Sequence, residues 1–169
     1  KRSEGLIRFV REFKSLTQIP KPKMADFVIK PLLDELAMLH KKELSDNNIC
    51  IEVNVSQIDL SVIADKNMIE KEKIKIIKNA IQEFDEQTDK KIELAAYQDE
   101  KSRPVISVKD NGNGIDPEAM ERIFIPFFST KKTGSGIGLA LSKQIMRQHE
   151  GRINVRSKPG EGTEFLLRF

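Results

Sequence analysis

Two clusters of glycine are the part of this sequence best suited to chemistry. The first lies in the stretch DNGNGI, directly after an apolar run, and the second lies in GSGIGLAL, directly before a helical pattern. Because glycine costs backbone entropy on folding, such clusters indicate a backbone that needs positive φ or lies close to a ligand. A glycine loop that opens onto a helix N-terminus also presents free N–H groups and the helix dipole to an anion. The second cluster therefore predicts a phosphate-binding loop.

The segment that joins the two clusters, residues 116–135, is long for an unstructured connection, and we interpret it as a lid. Thr130, Lys131 and Lys132 lie near its end. In one interpretation, the two lysine ammonium groups meet a negatively charged ligand. In the other, this stretch is a solvated basic loop.

A carboxylate and an amide complete the set of candidate polar groups. Asp110 follows the apolar run, and it either accepts local N–H bonds in a turn or faces a ligand. Asn79 lies in a predicted helix, and its own position does not distinguish it from an exposed helical residue.

The composition is that of an ordinary globular domain. The chain has 169 residues, of which 38% are hydrophobic and 33% charged, which suits one domain with room for a short appendage. The net charge of +3 is small and spread along the chain, so we expect no nucleic-acid partner. The single cysteine, Cys50, cannot form an internal disulfide, which fits a reducing compartment. We expect a cytoplasmic location, since no signal peptide or long apolar run is present, and the chain can still be the cytoplasmic part of a membrane-bound sensor.

Residues 1–19 show an apolar stripe at helical spacing opposite a charged face. This helix either covers the core of its own domain or forms the end of a dimerising coiled-coil helix. Pro20 and Pro22 then end the helix and make a stiff linker. We therefore divide the chain into a helix at 1–19, a linker at 20–26 and a domain at 27–169.

The domain mixes helices and strands without strict alternation. Helices are predicted over 27–44, 68–84 and 137–149. Strands are predicted over 49–55, 62–64, 92–97, 105–109, 152–157 and 164–169, the last two joined as a hairpin. This pattern predicts an α+β fold, a two-layer sandwich of one mixed sheet with helices on one face.

Four motifs in order, together with a fifth that precedes them, give the sequence a specific resemblance to a known family. DNGNGI, IFIPFFSTK and GSGIGLAL resemble the first glycine box, the phenylalanine box and the second glycine box of one domain type. GEGTEF stands at the expected C-terminal place, and KIIKNAIQEF resembles the asparagine box. These motifs resemble those of the ATP-binding catalytic domain of sensor histidine kinases, members of the GHKL superfamily. The resemblance implies the Bergerat ATP-binding fold, with ATP and Mg²⁺ as ligands.

The resemblance also implies roles for individual residues. Asp110 would accept the adenine amino group, and Gly112 and Gly114 would let the backbone approach the base. Mg²⁺ prefers oxygen ligands and keeps several waters and phosphate oxygens, so the amide carbonyl of Asn79 would complete such a shell. Asn79 would thus hold the metal and act with Lys131 in catalysis. The remaining nucleotide-binding residues would be Ile115, Phe127, Thr130, Lys131, Gly134, Ser135, Gly136, Gly138, Leu139 and Thr163. Both phenylalanines of the box, Phe127 and Phe128, are expected mainly to pack the lid against the domain.

Three residues around the asparagine box depart from the family pattern. Lys73 falls in the middle of the apolar stripe, where it either snorkels to solvent or pairs with Glu72. Lys75 stands one turn before Asn79, where kinases typically have Asn and the hydrolytic branches have a Glu base. Glu83 replaces a small residue. These departures bear on metal geometry and activity rather than on the fold.

The predicted function is that of the catalytic domain of a two-component sensor histidine kinase. The γ-phosphoryl group of ATP would pass to a histidine on an upstream hairpin and then to an aspartate of a response regulator. Residues 1–19 would mediate homodimerisation in the full-length protein. Neither His40 nor His149 lies in a phosphoacceptor motif, so we expect structural roles for both and little activity from this fragment alone. The alternatives are a self-contained GHKL ATPase, which would need a carboxylate base at position 75, and a degenerate, non-catalytic nucleotide-binding or docking module.

Overall fold

The computed structural model describes residues 7, 10, 13, 14, 16–130 and 135–169. In chain order the elements are β1 (Ala25–Val28), α1 (Ile29–Leu39), α2 (Lys41–Asp46), β2 (Cys50–Val55), β3 (Ser61–Ala64), α3 (Lys66–Gln82), β4 (Lys91–Gln98), β5 (Pro104–Asp110), α4 (Pro117–Met120), α5 (Gly138–Gln148), β6 (Arg152–Lys158) and β7 (Gly162–Arg168). Within these described ranges, none of the helices combines the length and the apolar character that crossing a membrane requires.

Five strands form one mixed sheet in the order β2-β4-β5-β7-β6. The edge strand β2 runs parallel to β4, and every other neighbouring pair is antiparallel. The predicted C-terminal hairpin is present, with Lys158 of β6 opposite Gly162 of β7. The α+β sandwich predicted from the sequence is thereby confirmed.

The core lies between one face of this sheet and the helices. Alternate residues of the central strand β5, Ile106 and Val108, are buried in it together with Leu94 of β4. Ile76 and Ile77 of α3 are fully buried against them. Burial of an aliphatic side chain contributes roughly 1.5–3 kcal/mol, so these apolar stripes hold the helices on this face.

The helix predicted over 27–44 is wrong at its start and in its middle. Ala25–Val28 form β1, which pairs antiparallel with β3 in a separate two-stranded ribbon. The strand begins inside the linker expected over 20–26. The helix then begins at Ile29 and is interrupted at His40, which is the C-cap of α1 and the N-cap of α2. The local pattern could not reveal β1, because strand formation depends on a partner that lies far away in the sequence.

Helix α3 begins earlier than predicted because Asp65 caps it. The Asp65 carboxylate accepts hydrogen bonds from the backbone N–H groups of Met68, at 3.1 Å, and Lys23, at 2.8 Å. The hydrogen bond from Lys23 is the main cause of a lowered Asp65 pKa. The Asp65 N–H donates to Nε2 of His149 at 3.0 Å, and Nδ1 of that ring donates to the Ile145 carbonyl oxygen at 2.8 Å. Both ring nitrogens of His149 therefore serve the structure, as expected.

The described part of the N-terminal helix does not cover this core. Ile7, Val10 and Phe13 are in helical conformation, and they are 57%, 53% and 51% exposed. The interpretation in which the stripe over 1–19 covers its own domain therefore fails for these three side chains.

Candidate functional site

A cavity of ≈ 320 Å³ opens between α3, the end of β5 and the start of α5. The described residues that line it are Asn79, Ala80, Gln82, Glu83, Asp110, Gly114, Ile115, Asp116, Ala119, Ile123, Phe128, Ser129, Thr130, Ser135, Gly136, Leu139, Thr163 and Phe165. The fold thus brings both glycine clusters and the asparagine-box helix to one place.

Most of the site residues predicted from the sequence meet at this cavity. Those that line it are Asn79, Asp110, Gly114, Ile115, Thr130, Ser135, Gly136, Leu139 and Thr163. Those that are described but do not line it are Gly112, Phe127 and Gly138. Lys131 and Gly134 lie outside the described residues.

Sequence reasoning missed several lining residues, and one signal could have found some of them. Gln82 and Glu83 follow Asn79 by three and four positions on a helix, so they share its face. The apolar residues Ala119 and Ile123 gave no such signal, because the path of the lid segment cannot be read from local periodicity.

Asp110 is held firmly at the wall of the cavity. It is 2% exposed, at the end of β5, directly opposite Thr163 in the antiparallel pairing with β7. Its Oδ1 accepts hydrogen bonds from the backbone N–H groups of Gly112, at 2.9 Å, and Thr163, at 3.2 Å. The local turn bond expected of such an aspartate is present, and the second bond fixes the carboxylate against the neighbouring strand.

The first glycine loop is clamped to the β6–β7 hairpin. Gly114 has φ +72, and a Cβ there would lie 2.1 Å from the carbonyl oxygen of Lys158. The next residue, Ile115, donates its N–H to Ser157 Oγ at 2.8 Å, and that hydroxyl lies 2.9 Å from Thr163 Oγ1. Only glycine allows this approach, and it places the loop backbone beside the cavity.

The lid segment contacts the second glycine cluster through Phe127. The backbone N–H of Phe127 donates to the carbonyl oxygen of Gly136 at 2.9 Å. Phe127 has the unusual φ of 68 and is 46% exposed, whereas Phe128 lines the cavity. The guanidinium of Arg122 lies 4.4 Å from the centroid of the Phe128 ring, which favours a cation–π contact.

A buried polar network lies behind the wall formed by α3. Glu72 is 1% exposed, and its Oε1 accepts a hydrogen bond from Lys75 Nζ at 2.7 Å. Its Oε2 accepts a hydrogen bond from Ser142 Oγ, across from α5. The Lys75 ammonium is therefore held by Glu72, and Lys75 is not among the residues that line the cavity.

Lys73 neither snorkels to solvent nor pairs with Glu72, the two arrangements expected from the sequence. It is fully buried rather than snorkelling, and Glu72 is engaged by other groups instead of pairing with it. Among the described residues its Nζ has no hydrogen-bond partner. Burial places the pKa of Lys73 well below its ordinary value, because the apolar surroundings disfavour the charged amine.

The described lining of the cavity is acidic, with Glu83, Asp110 and Asp116 and no Lys or Arg. In the described part of the chain, no group of three or more His, Cys, Asp or Glu side chains could hold a metal ion. The Asn79 amide can supply one oxygen at the cavity wall. A magnesium ion that takes its other ligands from phosphates and water fits this donor set.

Comparison with known proteins gives one consistent family. The sequence profile described as histidine kinase-, DNA gyrase B- and HSP90-like ATPase matches residues 74–169. Over 116 residues the chain is 41% identical to the signal transduction histidine-protein kinase AtoS of Escherichia coli (strain K12), covering 67% of this chain and 19% of AtoS. The catalytic domain of histidine kinase ThkA superposes with a TM-score of 0.77 at 28% identity, covering 87% of this chain and 95% of that one.

A second structure, of ThkA in complex with the response regulator protein TrrA, gives a TM-score of 0.75 at 26% identity. It covers 99% of this chain and 48% of that one. The chain spans only 19–30% of the length of the first curated relatives it matches. The family profile covers more than half of this chain, and the solved catalytic domain is matched almost throughout. The chain therefore belongs to the histidine kinase-, DNA gyrase B- and HSP90-like ATPase family, as an ATP-binding catalytic domain of the histidine kinase type.

Proposed function

We propose that this domain binds ATP in the cavity at Asp110 and donates the γ-phosphoryl group to a histidine on another segment of a two-component sensor kinase. The observation that carries the proposal is the buried Asp110 carboxylate, fixed by Gly112 and Thr163 at the cavity wall. A carboxylate held in this way is prepared to accept a hydrogen bond from a ligand.

Adenine suits this carboxylate better than guanine does. Adenine carries an amino group that can donate to Asp110, whereas guanine presents a carbonyl at the same ring position. The apolar residues Ile115, Leu139 and Phe165 line the same cavity and can pack against a flat base. We therefore assign the base to the β5 end of the cavity.

The triphosphate would extend towards the N-terminus of α5. Ser135 and Gly136 line the cavity just before this helix, where N–H groups and the helix dipole favour an anion. The described lining carries no cation, so Lys131 would supply the positive charge opposite the γ-phosphate.

Asn79 would supply one ligand to Mg²⁺, which would neutralise negative charge on the phosphates. The protein's own contribution would be positioning and charge stabilisation, since phosphoryl transfer requires little covalent chemistry from side chains. Asn79 and the glycine loop would hold the phosphates from opposite walls.

The phosphoacceptor would be a histidine that is not in this sequence. His40 and His149 are 3% and 4% exposed, so neither can receive a phosphoryl group without unfolding its surroundings. We place the acceptor on a hairpin upstream, with residues 1–19 as the end of its dimerising helix, 20–26 as the linker and 27–169 as the catalytic domain. The exposed Ile7, Val10 and Phe13 support a partner for this helix. The complex of the similar kinase ThkA with TrrA supports a response regulator as the next acceptor.

A self-contained ATPase is the less favoured alternative. It would use a carboxylate base one turn before Asn79, and this chain has Lys75 there, held at 2.7 Å from Glu72. The other alternative is a degenerate docking module. A nucleotide titration tests it, because the absence of ATP binding would favour such a module.

Calorimetric titration of the chain with ATP, ADP and GTP tests the proposal. ATP and ADP should bind and GTP should not. A hydrogen bond to a charged group is worth ~1.5–3 kcal/mol, so Asp110→Ala should weaken ADP binding roughly tenfold to a hundredfold. Asp46→Ala, a change of charge on an exposed helix end, is the matched control. Equal affinity for ATP and GTP would refute the assignment.

Phosphotransfer is tested separately with radiolabelled ATP. The chain alone should not label itself, whereas a hairpin segment from its parent protein, added in trans, should become labelled on histidine. Acid-labile label on His40 or His149 of the isolated chain would contradict the assignment of the acceptor.

A further inference from the structure

Two walls of the cavity come from α3 and α5, and no backbone hydrogen bond joins the described residues of these helices. Asn79 lies on α3, Leu139 lies in the first turn of α5, and Gly136 lies two residues before α5 begins. A helix satisfies its backbone groups internally, so side chains must set the spacing between the two. Any group that fixes this spacing also fixes the distance from Asn79 to the glycine loop.

A buried hydrogen bond joins these helices. Ser142 Oγ on α5 donates to Glu72 Oε2 on α3, and both residues are 1% exposed. Ser142 Oγ also lies 3.0 Å from the carbonyl oxygen of Gly138, the first residue of α5. The contact thus reaches the helical turn that follows the second glycine cluster.

Glu72 is also tied to the helix that carries Asn79. Its other oxygen accepts from Lys75 at 2.7 Å, and Lys75 is one turn before Asn79 on the same helix. The Lys75 side chain is 40% exposed, so the network runs from the interior to the surface along α3. Both carboxylate oxygens of Glu72 are therefore hydrogen-bonded, one to each of the two helices.

A buried carboxylate is a costly way to hold two helices together. Removing charge from water carries a penalty that well-packed apolar residues would avoid, and buried ionic groups are known in some proteins to specify a geometry instead. We propose that Glu72 is a positioning residue of the nucleotide site, which acts through Ser142 to set the distance between Asn79 and the second glycine cluster. This inference rests on the proposed binding of ATP and Mg²⁺ in the cavity.

The test replaces both partners, so that no buried polar group is left unpaired. Glu72→Leu with Ser142→Ala should keep the urea midpoint of unfolding close to that of the wild type. The affinity for ATP in the presence of Mg²⁺ should fall roughly tenfold or more, as it does when groups that orient metal ligands are removed. The ratio of the ATP affinity in Mg²⁺ to the ATP affinity in EDTA should fall as well. A purely structural role of Glu72 would leave this ratio unchanged.

The chain offers a matched control on the other face of the sheet. Ser107 Oγ donates to Glu164 Oε1 at 2.8 Å, and Ser107 is 2% exposed. Ser107→Ala with Glu164→Leu removes the same chemical pair away from the cavity, and it should leave both the ATP affinity and the Mg²⁺ ratio unchanged.

Two single variants test the same inference if the Glu72→Leu and Ser142→Ala double variant folds poorly. Glu72→Gln retains an oxygen that can accept from Ser142 and should bind ATP within about threefold of the wild type, whereas Ser142→Ala alone should lose affinity. Unchanged ATP affinity in the Ser142→Ala and double variants would overturn the inference, and so would an equal loss in the Ser107 and Glu164 control. A wild-type chain that binds no ATP would instead refute the proposed function.

Discussion

Phe127, inside the lid segment, donates a backbone hydrogen bond of 2.9 Å to Gly136, the residue that follows this segment. Both have positive φ, 68 for Phe127 and 69 for Gly136. A Cβ at position 136 would lie 2.5 Å from the carbonyl carbon of Phe127. The lid backbone at Phe127 is therefore held closely against Gly136, which lines the cavity.

The first prediction follows from this junction. Amide hydrogen exchange over residues 116–135 should slow when ATP and Mg²⁺ are added, because a ligand in the cavity contacts residues of this segment. Hydrogen-exchange mass spectrometry with and without nucleotide measures the change. Peptides from β2, at the far edge of the sheet, serve as the internal control. Exchange over 116–135 that stays the same at saturating ATP would show that the segment is a fixed loop.

Gly114→Ala should destabilise the domain. The new Cβ would meet the Lys158 carbonyl oxygen at 2.1 Å, in a backbone conformation with φ +72 that alanine rarely adopts. Residues held in such a conformation cost on the order of 1–3 kcal/mol each. The free energy of unfolding in urea measures the loss. Gly138→Ala is the control, since a Cβ there has no atom within 4 Å, and it should change stability little.

Many of the residues that line the cavity could be predicted from the sequence, because the motifs that contain them reflect local constraints on the backbone. Gly114 and Gly136 both have positive φ, so glycine in the sequence marked a real backbone constraint. Asp110 could be placed at the start of the first glycine loop because it ends an apolar run that forms the central strand β5.

The parts that could not be predicted depend on contacts between distant residues. β1 exists because it pairs with β3, and nothing in the sequence of Ala25–Val28 indicates that partner. The burial of the Lys73 amine could not be predicted from the sequence either. Helical periodicity placed Lys73 in the apolar stripe. Whether its amine reaches solvent depends on tertiary packing, and in this structure the amine is buried.

Asp99 should titrate well below an ordinary aspartate. Hydrogen bonds from the Arg103 side chain, at 2.9 and 2.7 Å, are the main cause of a pKa lowered from 3.8 to about 2. A lowered folded-state pKa stabilises the fold above the unfolded value, and this contribution is lost as the pH falls from 3.8 through about 2. An NMR titration of the side-chain carboxyl gives the midpoint. In Arg103→Gln the midpoint should return towards 3.8, and a midpoint that does not move would assign the shift to another group.

Lys73 should make the domain more stable at alkaline pH. Its folded-state pKa lies well below 10.5 because the amine is fully buried. Between that lowered pKa and 10.5 the unfolded chain binds a proton that the folded chain does not, so stability rises with pH through this window. Lys73→Met should remove this dependence, because methionine has a similar shape and no proton to lose.

Urea unfolding at pH 7 and pH 9.5 measures the effect of this change. A buried polar group without a hydrogen bond costs ~1–3 kcal/mol in protein mutational data, and Lys73→Met should stabilise the domain at pH 7 by about that amount. The stability difference between Lys73→Met and the wild type should be smaller at pH 9.5. At that pH, protonation of Lys73 stabilises the unfolded wild-type chain less than it does at pH 7. Lys71→Met on the exposed side of the same helix is the control, and it should show no such trend. An advantage of Lys73→Met that is equal at both pH values would mean that the amine is charged and paired in the folded protein.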